Sequence, residues 1–154
     1  MKIEQLKRIF DFLEEKGEHR APVKWKLINN IPLTKEELNV KGDLDLRFSS
    51  ITSLPEGLKV GGDLNLRKAN ITSLPEGLKV GGDLMLYKSA IESLPKDLIV
   101  GGSLELSYSK ITSLPKGLEV HRSLFIKNIA LLEYTDGELK KMVKPGFIKG
   151  KIYR

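Results

Sequence analysis

Leu54-Pro55-Glu56-Gly57-Leu58-Lys59-Val60-Gly61-Gly62-Asp63-Leu64-Asn65-Leu66 decides the fold, because it returns twenty residues later, from Leu74, as LPEGLKVGGDLML. It returns again as LPKDLIVGGSLEL from Leu94 and as LPKGLEVHRSLFI from Leu114. Self-similarity at a fixed period of this length marks a solenoid, in which each unit buries its apolar face against its neighbours. Counted from the Leu of Leu-Pro, one unit reads L-P-x-G-L-x-V-G-G-x-L-x-L-x-x-x-x-I-x-S, apolar at positions 1, 5, 7, 11, 13 and 18. Position 7 is Val40, Val60, Val80, Val100 and Val120; position 11 is Leu44, Leu64, Leu84, Leu104 and Leu124. Stacked columns of this kind make a continuous core.

Within a unit, the alternation x-Leu-x-Leu-x turns Leu inward and its neighbours outward, as one strand of a parallel ladder requires. Leu-x-Val before the paired glycines predicts a second short extended segment. The Gly-Gly between the segments is expected to turn the chain through positive φ, and the Pro at position 2 to set another bend. Two extended segments leave no room for a helix inside twenty residues, so the outer side is expected to be turns.

Outside the repeats the pattern predicts caps. Ile3, Leu6, Ile9, Phe10 and Leu13 have helical spacing over residues 2–16, with Lys16-Gly17 as a stop. Val23, Trp25 and Leu27 alternate and are read as a short strand, with Trp25 in the core. Thr34 and Glu37 have capping-box spacing. After Leu124 the repeat decays. Thr135 or Asp136 opens a short helix running through Val143, Pro145-Gly146 stops it, and Phe147, Ile148, Ile152 and Tyr153 suggest a closing strand. The expected organisation is one domain, with an N-terminal helical cap over 1–37, repeats over 38–132 and a C-terminal helix/strand cap over 133–154.

Through these units the chain resembles the leucine-rich repeat family, in its short bacterial type with twenty-residue repeats containing Leu-Pro. Units with Val-Gly-Gly are similar to those of bacterial and phage proteins. The resemblance covers roughly residues 38–132 and implies a right-handed solenoid, a parallel sheet on its concave side, and protein binding. Two departures stand out. The Leu that the family places three residues before Leu-x-Leu is Gly61, Gly81 or Gly101 here, and the family's Asn ladder at position 16 is replaced by Ser49, Ala69, Ser89 and Ser109.

Composition narrows the function classes. The 154 residues include no cysteine, which excludes disulfides, thiolate metal sites and a cysteine nucleophile, and fits a reducing compartment. The first residues lack the apolar core of a signal peptide and no apolar run reaches membrane-spanning length, so a cytoplasmic protein is expected, with no membrane partner. His19 and His121 are the only histidines and share no metal-ligand spacing. No phosphate-binding glycine loop is present, and the expected protein is not an enzyme and holds no cofactor or metal. Asp43, Asp63 and Asp83 fall in one column and are read as turn residues bonding nearby backbone rather than as a metal ladder.

The variable outward positions carry the functional signal, since they differ from unit to unit without disturbing the core. Positions 12, 14 and 15 supply Arg47, Phe48, Arg67, Lys68, Met85, Tyr87, Tyr108, Phe125 and Lys127, types enriched where proteins bind proteins. The expectation is a protein-binding module acting through this concave face as an inhibitor or effector. Two alternatives stand beside it. Of the net charge of +6, +4 falls in residues 119–154 (eight basic, four acidic), so Lys140, Lys141, Lys144, Lys149, Lys151 and Arg154 offer a nucleic-acid surface. The other is a self-associating structural solenoid whose partner is a second copy.

Overall fold

The valine and leucine columns each become a ladder of two-residue strands. In the computed structural model, which describes residues 3–17 and 21–154, six strands form the first sheet: β1 Asn39–Val40, β3 Lys59–Val60, β5 Lys79–Val80, β7 Ile99–Val100, β9 Glu119–Val120 and β11 Phe147–Ile148. Six more form the second: β2 Leu44–Asp45, β4 Leu64–Asn65, β6 Leu84–Met85, β8 Leu104–Glu105, β10 Leu124–Phe125 and β12 Ile152–Tyr153. Every pairing is parallel, and register sets Val60 on Val80 and Leu64 on Leu84, each residue on its equivalent one unit later. The protein is a repeat β-solenoid with terminal caps. Its core is the predicted set of columns, with Leu66, Leu86, Leu106 and Ile126 wholly buried beside Leu58, Leu78, Leu98 and Leu118.

The paired glycines do not turn the chain through positive φ. Positive φ occurs instead at position 4, in Gly57 (76°), Gly77 (69°) and Gly117 (77°), with Asp97 (54°) taking the slot in the third full unit. Asp tolerates the left-handed region better than most side chains, which is why it can replace glycine there. Positive φ occurs again at position 15, in Phe48, Lys68, Lys88, Tyr108 and Asn128. Gly61, Gly81 and Gly101 are needed for a different reason: a Cβ on any of them would overlap the carbonyl oxygen of the residue one unit earlier. The amides make the same approach, with Gly61 N donating to Val40 O at 2.7 Å and Gly81 N to Val60 O at 2.8 Å.

The second glycine serves the aspartate column. Asp63 N donates to Asp43 Oδ1 at 2.8 Å, Asp83 N to Asp63 Oδ1 at 2.7 Å, and Ser103 N to Asp83 Oδ1 at 2.7 Å. Each carboxylate lies where a Cβ on the next unit's second glycine would stand, at Gly62, Gly82 and Gly102. When the column shortens to Ser103, whose Oγ accepts from Ser123 N, the residue above it is Arg122 rather than glycine. Gly-Gly-Asp is thus a between-unit fastening. Position 16 contributes no such fastening through its side chains: Ser89 Oγ donates to Leu86 O in its own unit, and Ser49 Oγ is buried without a partner.

Both ends depart from expectation, and Trp25, expected in the core, is half-buried and lies outside the core cluster. Helix α1 spans Ile3–Glu15, as the spacing predicts, and Gly17 ends its last turn at φ 68°. The side chains of Ile3, Leu13 and Glu14, and the whole of His19, lie outside the described residues. Residues 23–28, read above as a strand, are instead helix α2, Val23–Ile28. Val23 and Leu27 suit both periods; the turn is settled by Lys26, which an alternating pattern puts outside but which is buried against Glu37 at 3.0 Å. Trp25 packs on Phe10 of α1, ring centroids 4.8 Å apart. The Thr34–Glu37 box forms, Thr34 N donating to Glu37 Oε2 at 2.9 Å and Glu37 N to Thr34 Oγ1 at 3.3 Å.

At the other end, helix α3 (Asp136–Met142) carries a full capping box between Thr135 and Glu138. The single closing strand expected there is two strands, one in each sheet: Ile148 pairs with Val120 and Ile152 with Leu124. Residues 147–153 are therefore a sixth rung, offset by 28 residues from its neighbour (Val120 to Ile148) because η1 (Ala130–Glu133) and α3 are inserted before it. No helix among the described residues is long and apolar enough to cross a membrane.

Candidate functional site

The outward row of the second sheet is built by alternation, since Leu at positions 11 and 13 point inward and position 12 between them points out. Its members are Asp45, Asn65, Met85, Glu105, Phe125 and, from the sixth rung, Tyr153. Three of them serve their own turn as well. Asp45 Oδ1 accepts from Arg47 N at 3.1 Å, Asn65 Oδ1 from Arg67 N at 3.3 Å, and Glu105 Oε1 from Ser107 N at 2.7 Å. Positions 14 and 15 follow in this turn, where the left-handed residue at 15 throws its side chain to the exposed edge; Phe48 is 68% exposed.

Stacking of the rungs brings these side chains into contact along the solenoid. Lys68 Nζ lies over the Phe48 ring at 5.2 Å, and Lys88 Nζ lies over both Tyr87 (5.4 Å) and Tyr108 (5.2 Å). Tyr87 and Tyr108 meet edge to face at 5.4 Å, while Phe125 and Tyr153 stack nearly parallel at 4.8 Å. Arg47, Phe48, Arg67, Lys68, Tyr87 and Glu105 line a depression of about 390 Å³. Of the nine predicted site residues, five therefore share one hollow. Met85, half-buried, and Tyr108 border it by position, and Phe125 and Lys127 lie one rung beyond Glu105. Tyr153 and Lys88 complete the face and were missed from the predicted set. Lys88 was legible as a position-15 residue; Tyr153 was hidden by the offset of the sixth rung.

Arg47 is not free. Its guanidinium grips Asp45 through Nε (3.0 and 3.1 Å) and Nη2 (2.8 Å), and this contact holds the Asp45 carboxyl below the ordinary carboxylate range. A pKa depressed in the folded state stabilises above the ordinary carboxylate pKa, and the contribution is lost as pH falls through the depressed value. An NMR titration of the side-chain carboxyl should thus find the Asp45 midpoint below that of a free aspartate, and Arg47→Gln should raise it. Coincident midpoints in the two proteins would show that the pair does not persist in solution.

The C-terminal cations come from different elements. Arg154 is held by Asp136, by ion pair, and by Tyr134 O at 2.9 Å. Lys140 and Lys141 belong to α3, while Lys149 and Lys151 flank Gly150 in the sixth rung. Among the described residues no three His, Asp or Glu side chains form a metal-holding group, and the aspartate column is bonded to backbone.

A capped β-solenoid with one chemically varied sheet face is the class that fold and site define. Comparison with protein-family models, with curated proteins and with solved structures finds no match for the chain.

Proposed function

We propose that this chain is a solenoid of the leucine-rich repeat type whose second-sheet face binds a protein. One observation carries the reading: the strictly repeated positions are all used for core, turns and between-unit fastening, while the face collects Arg67, Met85, Tyr87, Tyr108 and Phe125 at positions free to vary. Arg, Tyr, Phe and Met are the side chains that interface cores favour. Six strands about 4.8 Å apart make a face roughly 24 Å across, on the scale of the ~800 Å² per partner of a standard interface. The protein would act by occupying its partner's surface, as an inhibitor or effector.

The test is partner capture from the source cell with the wild-type chain and with four exposed or half-exposed variants: Arg47→Glu, Arg67→Glu, Tyr87→Ala and Phe125→Ala. Tyr87→Ala and Arg67→Glu should each reduce the recovered partner at least tenfold, a change of about 1.4 kcal/mol or more. Thermal unfolding should hardly move. Recovery that survives all four changes would remove the face from the mechanism. Recovery that instead follows Lys149 and Lys151, and falls steeply with salt on a nucleic-acid probe, would favour the basic end.

A further inference from the structure

We infer that the segment received by this face is acidic and extended, with a carboxylate seated at Arg67 in the hollow between Phe48 and Tyr87. The inference rests on the proposal that the face binds protein. It begins from unspent charge. Arg47 is committed to Asp45, but Arg67, Lys68 and Lys88 have no carboxylate partner among the described residues. Glu105, the one acid lining the hollow, has an oxygen occupied by Ser107 N at 2.7 Å. A hollow of about 390 Å³ with cationic and aromatic walls has room for one or two side chains, not for a folded surface. A guanidinium in its lining selects a planar anion, which it can hold by two parallel charge-assisted hydrogen bonds.

Cations interleaved with aromatic rings also suit single-stranded nucleic acid, which needs open ring faces on which bases can stack. Here each ring already carries a partner on one side. An ammonium lies over Phe48, another over both Tyr87 and Tyr108, and Phe125 is covered by Tyr153. Stacking a base on that side would displace these contacts, whereas a carboxylate approaches the same ammonium groups from solvent and leaves the rings where they are. The observations therefore favour an acidic polypeptide over an oligonucleotide.

The experiment is fluorescence anisotropy on the full chain with three labelled probes: a twelve-residue peptide alternating Glu and Ser, the same peptide with Gln for Glu, and a twelve-nucleotide oligo-dT. Two double variants are compared. Arg67→Glu with Lys68→Asn removes three units of positive charge from the hollow (two and one), Asn being chosen because it tolerates the positive φ at that position. Lys140→Glu with Lys141→Gln removes the same three units from α3. The Glu peptide should bind and the Gln peptide should not. The hollow variant should weaken Glu-peptide binding at least tenfold and the α3 variant less than twofold. Equal losses in the two variants, no binding of the Glu peptide, or tighter binding of oligo-dT that the hollow variant abolishes would each overturn the inference. Circular dichroism of both variants checks that they fold. If the peptide fails while Tyr87→Ala still lowers partner capture at least tenfold, the acidic assignment alone falls; if capture survives all four face substitutions, the face itself is wrong.

Discussion

Gly81→Ala should destabilise the protein by about 2 kcal/mol, because an added Cβ on this exposed residue still overpacks against the backbone of the neighbouring rung. Its new Cβ would overlap the carbonyl oxygen of Gly61, and that atom is backbone in a ladder with hydrogen bonds of 2.8 Å, so the two rungs must separate. Two other glycines calibrate the result. Gly77 has open space around a Cβ but sits at φ 69°, so Ala there should cost only the left-handed strain, about 1 kcal/mol. Gly42 has open space and no positive φ, and Ala there should stay within about 0.5 kcal/mol of wild type. Urea unfolding would order the three by their midpoints at unchanged slope. A Gly81 variant as stable as the Gly42 variant would mean that rung contact is not what the paired glycines protect.

Lys26→Met should cost about 3 kcal/mol by leaving Glu37 buried without its cation. The two side chains meet at 3.0 Å with only 8% and 9% of their surfaces exposed, so water cannot replace the ammonium without opening the cap. Met keeps most of the volume, which separates the charge effect from a cavity. Adding Glu37→Gln removes the stranded charge and keeps an oxygen for Thr34 N, which Glu37 now accepts at 2.9 Å. The double variant should return to within about 1 kcal/mol of wild type. Trp25, the only tryptophan, lies on Phe10 beside the pair and would report unfolding of this end by fluorescence. Equal stability of the single and double variants would show that the pair contributes no electrostatic stabilisation.

The two predictions fall on the places where reading the chain by itself went astray. Gly-Gly is ambiguous in sequence, because glycine relieves both strained φ and close approach, and only the neighbouring rung says which. Asp97 at the position-4 slot and Asn128 at position 15 were the available signals for left-handed turns, since both types tolerate positive φ. Residues 23–28 fit two periods, and the tie was broken by a lysine whose burial depends on a carboxylate eleven residues away (Lys26 to Glu37). The sixth rung escaped because η1 and α3 stretch its offset, although the order apolar, any, Gly, any, apolar in Ile148-Lys149-Gly150-Lys151-Ile152 matches Val60 to Leu64.

The candidate face divides in the same way. That Arg67, Met85, Tyr87 and Phe125 point away from the core follows from alternation alone. That Arg47 is spent on Asp45, that Lys68 rests on Phe48, and that Lys88 bridges two tyrosines follows from turn geometry and rung stacking. A twenty-residue period is enough to say which side chains share a column, because each residue meets its own equivalent in the next unit. The sequence by itself therefore determined the core columns, the two ladders and the outward rows. Only the tertiary structure decided what those rows do to one another, since their contacts run between units, across a gap of a few ångströms in space and some twenty residues in the chain.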